Sequence, residues 1–253
     1  MTQWGKKNVV SFYSNNRNKM QHLYDSEKKP LSFVNKKKVK SVLDYGCAVG
    51  GFYLIFKKYF KRNISYLGLD TEQNVINSAK EKFRRNDNVK FLKIKKGKLN
   101  IKNKKYDLSF STGVLNHNND YKKIISELLR VSSKYTFIDS PRVHFGKDFI
   151  GKLNLSNRFP SDITSNNIVN NYTINLKNYL SFLKKIFKQN NITSVVFYYG
   201  NLPYKKKYLK INKKISFLTF LTMKEKNIKK INYKILTKET KVKKLFKDIF
   251  DEK

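Results

Sequence analysis

Cysteine and histidine are scarce in this sequence. The 253 residues include one cysteine, Cys47, and three histidines. A single cysteine excludes a disulfide within the chain and fits a reducing compartment. No group of histidine, cysteine and carboxylate residues has the spacing of metal ligands, so we expect no metal dependence.

Long apolar runs are also missing. The longest spans residues 215–223, whereas a membrane-spanning helix needs about 20 apolar residues. The first residues contain no continuous apolar segment of the secretory kind. We therefore expect a soluble, cytoplasmic protein without a membrane span. Hydrophobic residues still make up 40% of the chain and aromatic residues 14%, which predicts a folded protein.

Arginine is rare although the chain is strongly basic. Only seven of its 55 basic residues are arginines, and with 18 acidic residues the formal net charge is +37. Such a charge attracts nucleic acid or an anionic membrane surface. A compositional origin competes with this interpretation, because abundant lysine, asparagine, isoleucine, tyrosine and phenylalanine together are typical of A/T-rich codon use. Nucleic-acid sites favour arginine, so nucleic acid is an alternative partner that we do not favour.

Short β-type segments alternate with helical segments from residue 39 onward, which predicts βαβ units and a mostly parallel sheet. The predicted strands are 41–45, 64–69, 89–94, 106–111 and 135–139. The predicted helices between them are 51–61, 72–85 and 119–131. Two further strands, 194–199 and 215–221, have no room for a crossover helix between them, which favours an antiparallel pair.

The remaining segments suggest additions to one domain that spans residues 40–223. Residues 1–39 are predicted to form a helical preface. Its tyrosines and Arg17 either close over a ligand as a lid or belong to a solvated helix. Residues 141–174 interrupt the βα rhythm and are predicted to form an insertion over the carboxyl end of the sheet. Residues 224–253 form a basic tail with a predicted amphipathic helix.

The segment VLDYGCAVGGF at residues 42–52 is an apolar strand that ends in an acid and turns through glycines into a helix. Glycine lets the backbone approach a ligand closely. Gly46, Ala48 and Gly51 satisfy a loose dinucleotide fingerprint, so a nicotinamide or flavin enzyme is one alternative. Asp44 argues against it, because its carboxylate would face a doubly charged pyrophosphate. The same carboxylate suits a ligand that carries an ammonium and a sulfonium.

With Asp44 in this position, the sequence resembles the class I S-adenosylmethionine-dependent methyltransferases. The resemblance continues at Gly68-Leu69-Asp70, where an acid closes the second strand, and at YDLSFSTGVLNH, residues 106–117, which is similar to the family's fourth-strand motif. It covers roughly residues 40–140. It implies a Rossmann-like α/β fold with helices on both faces of a sheet of about seven strands, the last antiparallel. It also implies S-adenosyl-L-methionine as cofactor and methyl transfer as activity.

The resemblance also implies roles for individual residues. The turn after the first strand would contact the methionine end of the cofactor through Asp44, Gly46, Cys47, Ala48 and Gly50. The end of the second strand would contact the ribose through Asp70 and Thr71. Ser111 and Thr112, at the end of the fourth strand, would complete the site. After the third strand the family usually places an acid that meets adenine. Here Lys98 and Leu99 occupy that place, and backbone groups or Asn100 are the alternative adenine contacts.

Two histidines are candidate bases. His117 follows the fourth strand, where an imidazole could take a proton from an acceptor near neutral pH. The alternative is that this ring packs as part of its loop. His144, just past the fifth strand, is the second candidate. Methyl transfer depends mainly on in-line alignment, so no fixed catalytic triad is expected.

The predicted acceptor is a small molecule or a saccharide, methylated on oxygen, because the insertion is rich in asparagine and no RNA-binding module is recognisable. One alternative is an RNA methyltransferase, in which the lysine-rich loop 205–214 and the tail follow a phosphate backbone. Another is a module that binds the cofactor without catalysis, an interpretation that Lys98 supports. The sequence does not indicate the acceptor atom or the oligomeric state.

Overall fold

The computed structural model describes residues 3–95, 99–154, 168–202, 215–224 and 231–251. These residues form one 11-stranded sheet and seven α-helices. The strands are β1 (Ser41–Tyr45), β2 (Ser65–Asp70), β3 (Val89–Lys93), β4 (Tyr106–Ser111), β5 (Ser132–Asp139), β6 (Arg142–His144), β7 (Phe149–Asn154), β8 (Ile168–Asn175), β9 (Ser194–Asn201), β10 (Ser216–Met223) and β11 (Asn232–Leu236). The helices are α1 (Lys7–Asn16), α2 (Asp25–Leu31), α3 (Gly51–Phe60), α4 (Gln73–Lys82), α5 (Tyr121–Val131), α6 (Leu176–Gln189) and α7 (Thr240–Phe250).

The order of the strands places a crevice in the middle of the sheet. Strands β3, β2, β1, β4 and β5 lie side by side and are parallel. Chain order reverses between β1 and β4, and in open α/β sheets ligands bind at such a switch point, beyond the carboxyl ends of the strands. The predicted antiparallel pair is confirmed, since β10 is antiparallel to β9 and also to β5.

The alternation of side chains along the strands creates a hydrophobic core on each face of the sheet. In β1, Val42 belongs to the core shared with α3, whereas Leu43 belongs to the core shared with α5, α6 and α7. Phe56 of α3 meets Phe110 of β4 edge to face, with 5.0 Å between ring centroids. Burying one such aromatic side chain contributes roughly 2–3 kcal/mol, so both faces help hold β1 and β4 in place.

The strand count and the end of the chain differ from the prediction. The last strand is not β10 but β11, which pairs in parallel with β9. It lies in the segment predicted as a tail, because only Tyr233 and Ile235 alternate there among lysine and asparagine. The predicted amphipathic helix is present as α7, in which Val242 and Phe246 are buried. Residues 141–174 contribute β6, β7 and most of β8 to the sheet.

The amino-terminal residues lie over the crevice. In α1, Val9 packs with Leu153 of β7, and Trp4, Tyr13 and Val169 join this cluster. Helix α2 is fastened to the sheet by the hydroxyl of Thr219, which donates to the carbonyl oxygen of Ser26 at 2.8 Å. No helix in the described part of the chain has the length and apolar character needed to cross a bilayer.

Candidate functional site

A cavity of about 990 Å³ lies at the crevice, at the upper end of the usual range for small-molecule sites. Its walls come from five strand ends, from the amino-terminal residues and from the β7–β8 hairpin. The residues that line it from the strand ends include Gly46, Cys47, Ala48 and Val49 after β1, Asp70, Thr71 and Glu72 after β2, Ile94 after β3, Thr112 to Val114 after β4, and Asp139 at the end of β5.

The turn after β1 is built for close packing. Gly46 has a φ of +81°, and a side chain there would collide with Val114. The amides of Gly46 and Cys47 donate to the carbonyl of Leu69 at 2.7 and 3.0 Å, which ties the turn to β2. Cys47 is buried in this turn, and burial, together with Asp44 and Asp70, raises the pKa of its thiol well above the usual range. Gly50 is the N-cap residue that precedes α3, and it does not line the cavity.

Asp70 is held at the cavity wall by backbone amides. One carboxylate oxygen accepts from Ala48 and the other from Glu72, both at 3.1 Å. Each oxygen keeps a lone pair that could accept from a ligand hydroxyl. Burial raises the pKa of this carboxyl, while the amides oppose the rise. Asp70 and Thr71 therefore stand where the sequence predicted the ribose contact.

Asp44 does not face the cavity, contrary to the prediction from sequence. It is 1% exposed and accepts a hydrogen bond from the hydroxyl of Tyr66 on β2. Burial raises the pKa of Asp44 to about 7, the Tyr66 hydrogen bond opposes the rise, and nearby Asp70 adds to it. The carboxylate is thus buried against β2, the strand that carries its partner Tyr66. Repulsion of a pyrophosphate would come from Asp70 and Glu72 instead.

Three other predicted cofactor residues also lie away from the cavity or outside the described residues. The hydroxyl of Ser111 donates to the carbonyl of Tyr45 at 3.0 Å within the sheet. Leu99 is buried, and its amide donates to Glu127 at 2.6 Å. Lys98 lies outside the described residues, as does the loop 205–214 on which the RNA alternative depends. Thr112 does line the cavity.

The two candidate histidines differ in their position relative to the cavity. His117 lines the cavity, and its Nδ1 is 2.8 Å from the carbonyl oxygen of Asn170. Since a carbonyl only accepts, Nδ1 carries the proton and Nε2 accepts from the amide nitrogen of Asn116 at 2.9 Å. The ring also packs against Trp4, 4.8 Å between centroids. A base role for His117 would therefore require the Asn116 contact to break.

His144 is not placed to act as a base. It is 4% exposed and does not line the cavity. Its Nε2 is 2.7 Å from the carbonyl oxygen of Lys147, and Phe149 packs edge-on against the ring at 5.0 Å. The short strand β6 directs this side chain into the protein, which the sequence did not indicate.

A buried ion pair connects the amino-terminal residues to β4. Glu27 is 1% exposed and pairs with Arg17. The same carboxylate accepts from the hydroxyl of Thr112 at 2.9 Å and from the amide of Tyr24 at 2.9 Å. The Arg17 guanidinium lies over the rings of Tyr24 and Phe52, at 4.6 and 5.0 Å from their centroids. The sequence suggested Arg17 as part of a candidate lid but did not indicate this network.

Asp139 is the other carboxylate that approaches the outlet of β4. It lines the cavity, and its Oδ2 accepts from the amide of Gly113 at 3.2 Å. Burial raises the pKa of this carboxyl, Arg142 opposes the rise and Glu27 adds to it. A carboxylate with a raised pKa beside a cavity is suited to accept a proton.

The charges of the cavity differ from those of the chain as a whole. Six of the 18 acidic residues line it, whereas none of the 48 lysines is among the described lining residues. The two lining arginines are Arg17 and Arg142. This excess of negative charge complements a ligand with a sulfonium and an ammonium, so the residues present fit S-adenosylmethionine. Among the described residues, no three histidine, cysteine or carboxylate side chains gather as metal ligands.

Solved structures that resemble this chain in fold include a methyltransferase and a protein assigned as one. The Haemonchus contortus phosphoethanolamine N-methyltransferase 2, in complex with phosphomonomethylethanolamine and S-adenosylhomocysteine, is 13% identical, with a TM-score of 0.56 over 88% of this chain and 60% of that one. A protein assigned as a methyltransferase, in complex with the Haloferax volcanii activator Trm112, is 12% identical, with a TM-score of 0.52 over 88% and 96%. An S-adenosylmethionine-dependent methyltransferase from Aquifex aeolicus is 17% identical, with a TM-score of 0.49 over 85% and 98%. At these identities the two structures with TM-scores above 0.5 show the fold alone.

Sequence comparison identifies the family. No curated protein matches the chain. The family model described as a methyltransferase domain matches residues 36–214, which include every strand from β1 to β9. The chain therefore belongs to the class I S-adenosylmethionine-dependent methyltransferases.

Proposed function

We propose that this methyltransferase acts on a small molecule, with a saccharide as the favoured class, and methylates it on oxygen. The observation that carries the proposal is the continuity of the cavity. The same cavity is lined by the turn after β1, by Thr112 and Asp139, and by the amino-terminal residues together with residues 116–120, and we call this last part the acceptor chamber. A cavity of about 990 Å³ has room for two small ligands.

The amino-terminal residues pack over part of the chamber, which favours a small acceptor over a polymer. Helix α1 packs on the β7–β8 hairpin through Val9 and Leu153, and Trp4 packs on His117. The side chain of Asn74 donates to the carbonyl of Gly5, so the first described residues are also attached to α4. A nucleic-acid strand instead needs an open, positively charged groove.

The lining of the chamber suits an acceptor with several hydroxyls. Asn116, Asn118, Asn119 and Asn170 line it, and Asn116 has a buried side-chain oxygen without a hydrogen-bond partner among the described residues. Amide side chains both donate and accept, as hydroxyl recognition requires. The indole ring of Trp4 and other aromatic side chains that line the cavity add flat apolar surface.

Bound S-adenosylmethionine supplies an electrophilic methyl carbon on a sulfonium. The residues of the chain position and deprotonate the acceptor. Asp139 is placed to take the hydroxyl proton, because burial raises the pKa of this carboxyl and its Oδ1 has no hydrogen bond from described residues. The amide of Gly113 holds the other oxygen. Asp70, tied to Ala48 and Glu72, orients the cofactor ribose.

The test is transfer of an isotopically labelled methyl group by the full-length protein to separate fractions of cell extract. We expect label in low-mass compounds and none in RNA. Asp139→Asn should lower kcat about 100-fold or more with unchanged cofactor affinity, and Asp70→Asn should weaken cofactor binding at least about tenfold. Asp248→Asn, an exposed carboxylate on α7, is the control. Label in RNA, or full turnover by Asp139→Asn, would contradict the proposal.

A further inference from the structure

Arg142 is fixed at the edge of the acceptor chamber. It is the first residue of β6, directly after Pro141, and it pairs with Thr173 of β8. The next residue, Val143, pairs with Ser216 of β10. Because neighbouring strands hold the backbone on both sides, the guanidinium is attached to a rigid support, which is favourable for a binding residue.

The Arg142 guanidinium has donors from which no described residue accepts, although its charge opposes the rise in the pKa of Asp139. Among the described residues it has no ion pair and no hydrogen bond, and its buried Nε has no partner. Arg130 has the hydrogen bonds expected of a structural arginine, because its guanidinium donates to Glu127, Leu99 and Ile101. A partly buried guanidinium without acceptors is costly, so a structural role does not account for Arg142.

The other lining arginine is already neutralised. Arg17 is paired with Glu27 and also donates to the carbonyl of His22 at 2.6 Å. No lysine is found among the described lining residues. Arg142 is therefore the remaining cation with donors to spare in the part of the cavity that the structure describes. In a chain with 48 lysines, an arginine here matters, because its planar fork matches carboxylate and phosphate oxygens.

The position of Arg142 associates it with the acceptor and not with the cofactor. Strands β4, β5 and β10 lie between β1 and β6, which at about 4.8 Å per step places the backbone of β6 about 19 Å from that of β1 along the sheet. The positive charge of Arg142 acts on Asp139, because it opposes the rise in the pKa of this carboxyl. Arg142 thus stands on the far side of the proposed proton acceptor from the cofactor turn.

We propose that Arg142 binds an oxyanion, a carboxylate or a phosphate, on the acceptor, so that the substrate of this enzyme is an acidic small molecule. The inference rests on the proposed function and specifies it further. A sugar phosphate or a sugar acid combines the hydroxyl that Asp139 would deprotonate with the anion that Arg142 would hold. Two attachment points on one molecule would fix the reacting hydroxyl in the orientation that displacement requires.

The test measures oxyanion binding by the full-length protein saturated with S-adenosylhomocysteine. Phenyl phosphate, benzoate and uncharged benzyl alcohol serve as probes, in 0.3 M NaCl to suppress binding to surface lysines. Trp4, the single tryptophan, lines the cavity, so its fluorescence can report on binding there. We expect saturable binding of phenyl phosphate or benzoate at least about tenfold tighter than of benzyl alcohol. The tighter of the two identifies the anion.

Variants assign the binding to Arg142. Arg142→Ala should weaken oxyanion binding at least about tenfold, and Arg142→Lys should weaken it by a smaller factor because one donor fork is lost while the charge remains. Arg84→Ala, which removes a surface ion pair with Glu81, is the control and should bind as the parent does. Equal oxyanion affinity in the parent and both Arg142 variants overturns the inference. So does absence of oxyanion binding in a protein that binds S-adenosylhomocysteine, whereas failure to bind S-adenosylhomocysteine overturns the proposed function itself.

Discussion

Carboxylates at the two ends of the parallel strands have opposite environments. At the carboxyl ends, burial raises the pKa of Asp44, Asp70 and Asp139. At the amino ends, burial alone would raise the pKa of Asp107, but the Lys134 ammonium and backbone amides outweigh it and lower the pKa. Lysines are plentiful in this chain, so their absence among the described cavity residues is informative. At the amino ends the protein itself supplies the cation that pairs with Asp107. At the carboxyl ends Asp70 and Asp139 line the cavity, where a positively charged ligand could pair with them.

Glu27 is the exception at the cavity end, because it has its own cation. Glu27→Gln should lower the free energy of unfolding by about 3–5 kcal/mol, since the buried Arg17 would be left without its partner. Chemical denaturation measures the change. Glu81→Gln removes an exposed pair with Arg84 and should cost less than about 0.5 kcal/mol. Equal costs at the two positions would mean that the buried network stabilises nothing.

Asp44 should make the stability of the protein depend on pH. Its pKa is about 7 in the folded protein and near 3.9 in an unfolded chain, so the folded state binds the proton more tightly. Stability from this group is present below about pH 4 and is lost as pH rises through about 7. Asp44→Asn should remove a fall on the order of 3 kcal/mol between those values. Denaturation at several pH values measures it, and a variant with the parent's pH profile would refute the assignment.

Asp107 should behave in the opposite sense with a smaller effect. Its carboxylate accepts from the amide of Lys40 at 2.8 Å and pairs with Lys134 at 2.7 Å. Because the folded pKa is lowered, its contribution is present above the unfolded value and is lost as pH falls. Asp107→Asn should cost about 1 kcal/mol at pH 7, and this cost should shrink as the pH falls below the unfolded value. A cost that persists in acid would show that packing, and not charge, is responsible.

The central sheet could be predicted from sequence because its signals are local. Strands β1 and β4 were predicted with the observed bounds, since apolar runs followed by glycine or polar turns mark both. The helix predicted over residues 119–131 likewise corresponds to α5. Strand β11 was missed because only two of its residues alternate as apolar side chains, and its pairing partner β9 lies about 40 residues earlier.

The details of the site depend on neighbours that are distant in sequence. Asp44 turns away from the cavity because Tyr66 of the next strand pairs with it. His144 has the sequence position of a candidate base, but the contacts of β6 and Phe149 bury it. Nothing local marks Glu27 as buried, since it follows exposed residues in a polar segment. Residue types and order thus predicted the cofactor, whereas side-chain directions required the fold.

The single thiol of the chain has a practical consequence. Cys47 lies in the turn that lines the cavity, and its pKa is raised well above that of a free cysteine. Thiol reagents attack through the thiolate, so alkylation should be slow, yet any adduct would report from one defined place. Protection of Cys47 from maleimide, measured by mass spectrometry, would report occupancy of the cavity without a labelled substrate and without a new cysteine.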